Sequence, residues 1–100
     1  MNITFEYDGV KASERLEDFV VKKVNKLESK YDFIVQARVF IRTQNTSSPM
    51  KGKICKIQLS VPGPQLFAES NSKSFEMSIQ EALGDLDRQL SKKKEKMKAH

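Results

Sequence analysis

Residues 2–7 read Asn-Ile-Thr-Phe-Glu-Tyr, and residues 13–29 read Ser-Glu-Arg-Leu-Glu-Asp-Phe-Val-Val-Lys-Lys-Val-Asn-Lys-Leu-Glu-Ser. The first stretch alternates. Ile3, Phe5 and Tyr7 fall on one side and Asn2, Thr4 and Glu6 on the other, the period of a half-buried strand. Asp8-Gly9 interrupts it, and the apolar period then lengthens. Leu16, Phe19, Val20, Val24 and Leu27 recur at helical spacing, with Lys22, Lys23, Lys26 and Lys30 outside that stripe or on its edge. Ser13 supplies an N-cap, and Glu14 places an acid where the helix dipole favours one. Alternation returns over 33–43, with Val35, Ala37, Val39 and Ile41 on one face and Gln36, Arg38, Phe40 and Arg42 on the other. Strand, helix and strand in succession predict a right-handed parallel crossover.

Working outward, 44–52 is a polar loop expected to be mobile. A third strand follows over 53–61, with Cys55, Ile57, Leu59 and Val61 inward and Lys56, Gln58 and Ser60 outward. Pro62-Gly63-Pro64 turns the chain, and 65–70 is a short fourth strand. Ser72 or Ser74 caps a last helix whose stripe is Phe75, Ile79, Ala82, Leu83, Leu86 and Leu90. Beyond Leu90 only Met97 continues the stripe, so this helix is predicted to outrun the core. The expected fold is α+β, a two-layer β-α-β-β-β-α sandwich in which both helices cover one face of a four-stranded sheet. Residues 1–100 form a single domain, with 91–100 a basic tail open to partial disorder.

Length and composition narrow the function. One hundred residues with a mean hydropathy of −0.56 make one polar, globular domain. Cys55 is the sole cysteine and His100 the sole histidine, which excludes an internal disulfide, multi-cysteine metal sites and Ser-His or Cys-His catalysis. Asp85 and Asp87 stand two apart on a helix and cannot form a dyad. The chain reads as a non-enzymatic protein without cofactor or metal, with no membrane span and no signal peptide, hence cytoplasmic. Cys55 reads as a small buried hydrophobe.

The charge is localised. Arg88, Lys92, Lys93, Lys94, Lys96 and Lys98 less Glu95 leave +5, the net charge of the whole chain, because residues 1–87 hold twelve cations and twelve anions. A helix C-terminus favours a lysine or two, by about 0.3–1 kcal/mol each. It does not account for Lys92 facing Lys96 and Lys94 facing Lys98, since like charges at i,i+4 repel. Nucleic-acid phosphates would relieve that repulsion. A solvated tail, an acidic protein and an anionic membrane surface are the competing readings. Lys22, Lys23, Lys26 and Lys30 form a second cluster, read equally as a salt-bridged solvent face or as a contact surface. Arg38 and Arg42 are exposed sheet residues or phosphate contacts, and Phe40 is a lone candidate for base stacking.

The run Arg88-Gln89-Leu90-Ser91-Lys92-Lys93-Lys94-Glu95-Lys96-Met97-Lys98 resembles the C-terminal signature of bacterial ribosome hibernation-promoting factors. These are related to the ribosome-associated translation inhibitor, also described as a sigma-54 modulation protein. The first helix, from Leu16-Glu17-Asp18-Phe19-Val20 through Lys23, Lys26, Leu27 and Glu28, and the order of elements are similar to the same family over essentially the whole chain. The resemblance implies a fold like that of a double-stranded-RNA-binding domain with an extra leading strand. It implies binding to rRNA in the mRNA and tRNA channel of the small ribosomal subunit, and a block of translation by occupancy. By the match, the rRNA-facing residues are Lys23, Lys26, Arg42, Arg88, Lys92, Lys94, Lys96 and Lys98. Three features depart from the pattern: the extra charge of Lys93, a longer 44–52 loop, and no acid in Ser70-Asn71-Ser72-Lys73-Ser74. The chain corresponds to a short form without the second, dimerising domain of long relatives, and a monomer off the ribosome is the simplest state. A generic double-stranded-RNA-binding module is the alternative.

Overall fold

A computed structural model describes residues 1–98 of the chain. The elements are β1 (Asn2–Asp8), α1 (Glu14–Lys30), β2 (Gln36–Thr43), β3 (Lys53–Ser60), β4 (Leu66–Ser72) and α2 (Phe75–Lys98). The sheet order is β1-β2-β3-β4, with β1 parallel to β2 and the other two pairs antiparallel. This is the expected β-α-β-β-β-α order.

Register explains the layers. Ile3, Phe5 and Tyr7 pair with Ala37, Val39 and Ile41, which pair in turn with Leu59, Ile57 and Cys55. Side chains alternate across a strand, so these rows share one face, and they merge with Leu16, Val20, Val24 and Leu27 of α1 and Ile79, Ala82, Leu83, Leu86 and Leu90 of α2 in one buried cluster. Both helices therefore cover the same sheet face. Cys55 is fully buried in that cluster, and burial pushes its thiol up to about 12, which removes thiolate chemistry at neutral pH.

The helix starts follow local rules. The Ser13 hydroxyl accepts from the Leu16 amide at 3.2 Å. Of the two serines before α2, Ser74 is the cap, accepting from the Met77 amide at 3.2 Å. Ser72 instead turns inward, its hydroxyl 2.8 Å from that of buried Ser78. Tyr7 ties β1 to α1 by donating to Glu17 at 2.7 Å. The Pro62-Gly63-Pro64 turn depends on Gly63, whose φ of +90° favours a residue without Cβ.

The strand bounds differ from those expected. β2 begins at Gln36, and Val35, expected inward, is 63% exposed while Ile34 is buried in its place. The turn after α1 causes this: the Ile34 amide donates to the Tyr31 carbonyl at 3.3 Å, which rolls Ile34 under the helix end before alternation begins. The fourth strand runs on to Ser72. The 44–52 loop is held at its base, where the Gln44 amide donates to the Gly52 carbonyl at 3.0 Å and the Gly52 amide to Asn71 Oδ1 at 2.6 Å. Residues 91–98 of the expected tail are helix, and residues 99–100, including His100, lie outside the described residues.

Leu90 is the last buried residue of α2, so about 12 Å of helix, at 1.5 Å per residue, continues past the core. This projection gives the molecule its 50 × 24 × 19 Å extents. Leu86→Ala, in the fully buried part, should lower unfolding free energy by about 2–5 kcal/mol. Met97→Ala, beyond the core, should change it by less than about 0.5 kcal/mol. Urea denaturation followed by circular dichroism measures both.

Candidate nucleic-acid interface

α1 and α2 lie side by side and run in the same direction. Arg15 near the start of α1 bonds Glu76 near the start of α2 at 2.5 Å, and Lys30 at the end of α1 reaches Asp87 at 2.9 Å. Parallel helices bring two C-terminal dipole ends to one end of the molecule, where both attract cations. Lys94 uses this directly: its ammonium donates to the Lys30 carbonyl at 3.2 Å, capping α1.

One hydrogen-bonded cluster sets the spacing of the two helices there. The Tyr31 hydroxyl donates to Asp87 Oδ1 at 2.7 Å, and Lys30 donates to both Asp87 oxygens, at 3.1 and 2.9 Å. The ammoniums of Lys30 and Lys94 stand 5.4 and 5.6 Å from the Tyr31 ring centroid, within cation–π range. The Tyr31 hydroxyl, with Lys30 behind it, holds the Asp87 carboxyl below the usual carboxylate range against the opposing effect of burial. The bond to Asp87 raises both Tyr31 and Lys30.

The predicted site residues divide among three surfaces. Lys23 and Lys26 line an open groove between the helices, with Lys30 on their own side and Leu83, Gly84 and Asp87 opposite. Lys94 and Lys98 line its continuation beside Tyr31, together with Lys30, Ser29 and Ser91. Arg88, Lys92 and Lys96 recur every four residues on the exposed side of α2. Arg42 is separated from all of these. It stands on the open face of the sheet, 3.6 Å from Glu69. Among the described residues, Arg88 is the only α2 cation in an ion pair, a loose one with Asp85 at 3.8 Å. The projecting end of α2 thus carries positive charge on two sides, and one side joins the α1 lysines through the groove.

The rRNA-facing set implied by the resemblance leaves out Lys30, which stands only in the α1 lysine cluster, and Tyr31. Tyr31 lies four residues after Leu27, so it extends the α1 stripe by a turn, and that spacing was the available signal. The role of Lys30 had no such signal, because its partner is 57 residues away. Lys93, an apparent surplus charge, lies over the β3–β4 turn, where its ammonium would be 3.3 Å from a Cβ at position 63. Among the described residues no group of three or more His, Cys, Asp or Glu could hold a metal, and no helix is long and apolar enough to cross a membrane.

The family model described as Sigma 54 modulation protein / S30EA ribosomal protein matches residues 3–98. The chain belongs to this family. A ribosome hibernation promoting factor of Escherichia coli K12 is 28% identical over 100 residues, all of both chains. One from Pseudomonas putida is 25% identical over 99 residues, covering 99% of this chain and 92% of that protein. A solved ribosomal subunit interface protein from Coxiella burnetii matches with a TM-score of 0.80 at 24% identity, over 94% of this chain and 98% of that one, a likeness of fold. In this member of the S30EA family, the feature to be explained is therefore the cationic, overhanging end of α2.

The Asp87 cluster has a pH signature. A carboxyl held low by folding contributes stability that is fully present above its unfolded value, about 3.9, and is lost as pH falls through the folded value. The wild type should therefore lose stability in the acid range more steeply than Asp87→Asn, by under about 1 kcal/mol because the site is partly exposed. Urea midpoints between pH 2 and 6 test this, and parallel curves would contradict it.

Proposed function

We propose that this chain is a ribosome-binding translation silencer that occupies the mRNA and tRNA channel of the small ribosomal subunit and blocks it sterically, without catalysis. The observation that carries the reading is the end of α2, where five lysines on an overhanging helix have no ion-pair partner among the described residues. Neutralising rRNA phosphates relieves their mutual repulsion and releases counterions. The names of the relatives, ribosome hibernation promoting factor and ribosomal subunit interface protein, support a ribosomal partner.

In this reading Arg88, Lys92 and Lys96 meet phosphates along the outer side of α2, and Lys94 and Lys98 do so along the groove with Lys23 and Lys26. Arg42 makes its contact only if RNA also reaches the open sheet face. The protein works in the cytoplasm, where ribosomes are, and is a monomer off the ribosome. The folded body fills the channel while the lysines hold it there.

Lys92→Glu combined with Lys96→Glu should abolish inhibition of a cell-free translation reaction while leaving the circular dichroism spectrum unchanged. Retained inhibition would refute the role of α2. In cosedimentation with small subunits, losing these two contacts should reduce the steepness of the log–log salt dependence by about 1.4–1.8, at roughly 0.7–0.9 per contact. Equal affinity for a naked RNA duplex would instead favour a generic double-stranded-RNA-binding module.

A further inference from the structure

β1 is an end strand of the sheet, and its outer edge is open. Among the described residues no backbone group of Asn2–Asp8 has a partner beyond the β1–β2 ladder. The opposite edge is guarded. On β4 the Phe67 carbonyl accepts from Gln89 at 2.9 Å, and the Asn71 carbonyl accepts from Lys51 Nζ at 3.4 Å. An exposed edge is a template for another strand, and β1 has neither a proline nor a bulge to block one. The apolar layer is also unfinished there. Ala37, Val39 and Ile41 are buried, whereas their register partners Ile3, Phe5 and Tyr7 are only half-buried.

Charge decides which strand fits. Successive helix residues turn by about 100°. Glu17 and Glu28 mark the β1 flank of α1, since Glu17 accepts from Tyr7 at 2.7 Å and Glu28 lies 3.6 Å from the Met1 ammonium. Arg15 and Lys30 mark the opposite flank, where both bond to α2. At that spacing Glu14 and Asp18 fall on the β1 half with half-buried Val21, and Lys22, Lys23 and Lys26 fall on the α2 half. Every acid of α1 is thus on the β1 half and every cation on the other. On the open face of the sheet the same edge carries Glu6 and Asp8, neither in an ion pair among the described residues. Arg42, opposite Asp8 by register, reaches away from β1 to Glu69 at 3.6 Å.

We propose that the β1 edge takes up an extended basic segment of another polypeptide as a fifth strand. Its main chain bonds to β1, alternate apolar side chains lie on Phe5 and Val21, and the lysines or arginines between them stand against Glu6 and Asp8. In strand addition the main chain supplies affinity and the alternate side chains supply specificity. The acids of α1 add a field of the same sign on the helix side of the added strand. A second copy of this chain would bring Glu6 and Asp8 against the same acids, so charge opposes self-pairing. The edge lies on the flank of α1 away from α2 and does not depend on the helix-end reading.

The test is a titration of the nitrogen-15-labelled full chain with a short capped peptide of alternating lysine and valine. Amide signals of β1 should move and those of β4 should stay. The same peptide with its amides N-methylated keeps its charge but cannot form a ladder, and it should not bind. A peptide with glutamate in place of lysine should not bind either. Glu6→Lys combined with Asp8→Lys should weaken binding of the lysine peptide by roughly tenfold or more at low salt, whereas Lys92→Glu with Lys96→Glu should leave it unchanged. The titration uses the unaltered protein, so it stands even if the variant folds poorly. Unmoved β1 signals, equal binding of the N-methylated peptide, or an unchanged affinity of the folded double variant would overturn the proposal. So would β1 signals that move with protein concentration alone, which would mean self-pairing. None of these results alters the translation assay of the double lysine variant, so the two surfaces are judged separately.

Discussion

Both helices bury their single apolar stripes against one face of the sheet, and most of what is distinctive about the molecule depends on that shared burial. Val20 and Val24 from α1 meet Ile57, Leu86 and Leu90 in one continuous cluster. A fully buried aliphatic side chain contributes about 1.5–3 kcal/mol, far more than any surface ion pair here. The parallel β1–β2 pairing, with α1 between them, fixes the direction of α1, and two antiparallel steps then give α2 the same direction. Hydrophobic burial thereby sends two helix C-termini to one end of the molecule. The electropositive end is a consequence of topology as much as of lysine content.

At that end opposing charges are balanced locally. Lys30 and Lys94 are brought close by the packing, and the Asp87 carboxylate, the Tyr31 ring and the carbonyl of Lys30 all receive them. Past Leu90 no lysine has an ion-pair partner among the described residues, and Lys94 returns to the body, onto the Lys30 carbonyl and the Tyr31 ring. The helix continues for two further turns beyond the buried core, with Lys92 and Lys96 exposed on its outer side. The buried core of α2 ends at Leu90, so substitutions at exposed Lys92 and Lys96 should have little effect on folding.

The sheet gives the protein two unlike sides. Its inner face is apolar and buried, while its outer face pairs Arg42 with Glu69 and leaves Lys56 and Arg38 beside phenylalanine rings. Lys56 and Arg42 sit on adjacent strands and have opposite fates because one glutamate can reach only one of them. Such choices arise between strands and are decided by distances of an ångström or two.

Much was legible from the chain itself. Periodicity marked all six elements, because one-sided burial writes a period of two into β1 and a period of 3.6 into α1 and α2. Ser13 was legible as a cap because capping is local. The concentration of charge after Arg88 was also plain, since it requires only counting. What the sequence could not disclose were relations between distant residues: that Ile34 displaces Val35 from the core, that Ser74 caps while Ser72 turns to Ser78, and that Tyr31 and Lys30 converge on Asp87. It likewise could not show that Arg42 and the helix lysines belong to opposite surfaces, or that Phe67 joins Phe40. Period and composition are properties of neighbours along the chain, and they determined the elements and the sign of the charge. Which cations share a surface depends on how the layers stack, and only the tertiary structure decided that.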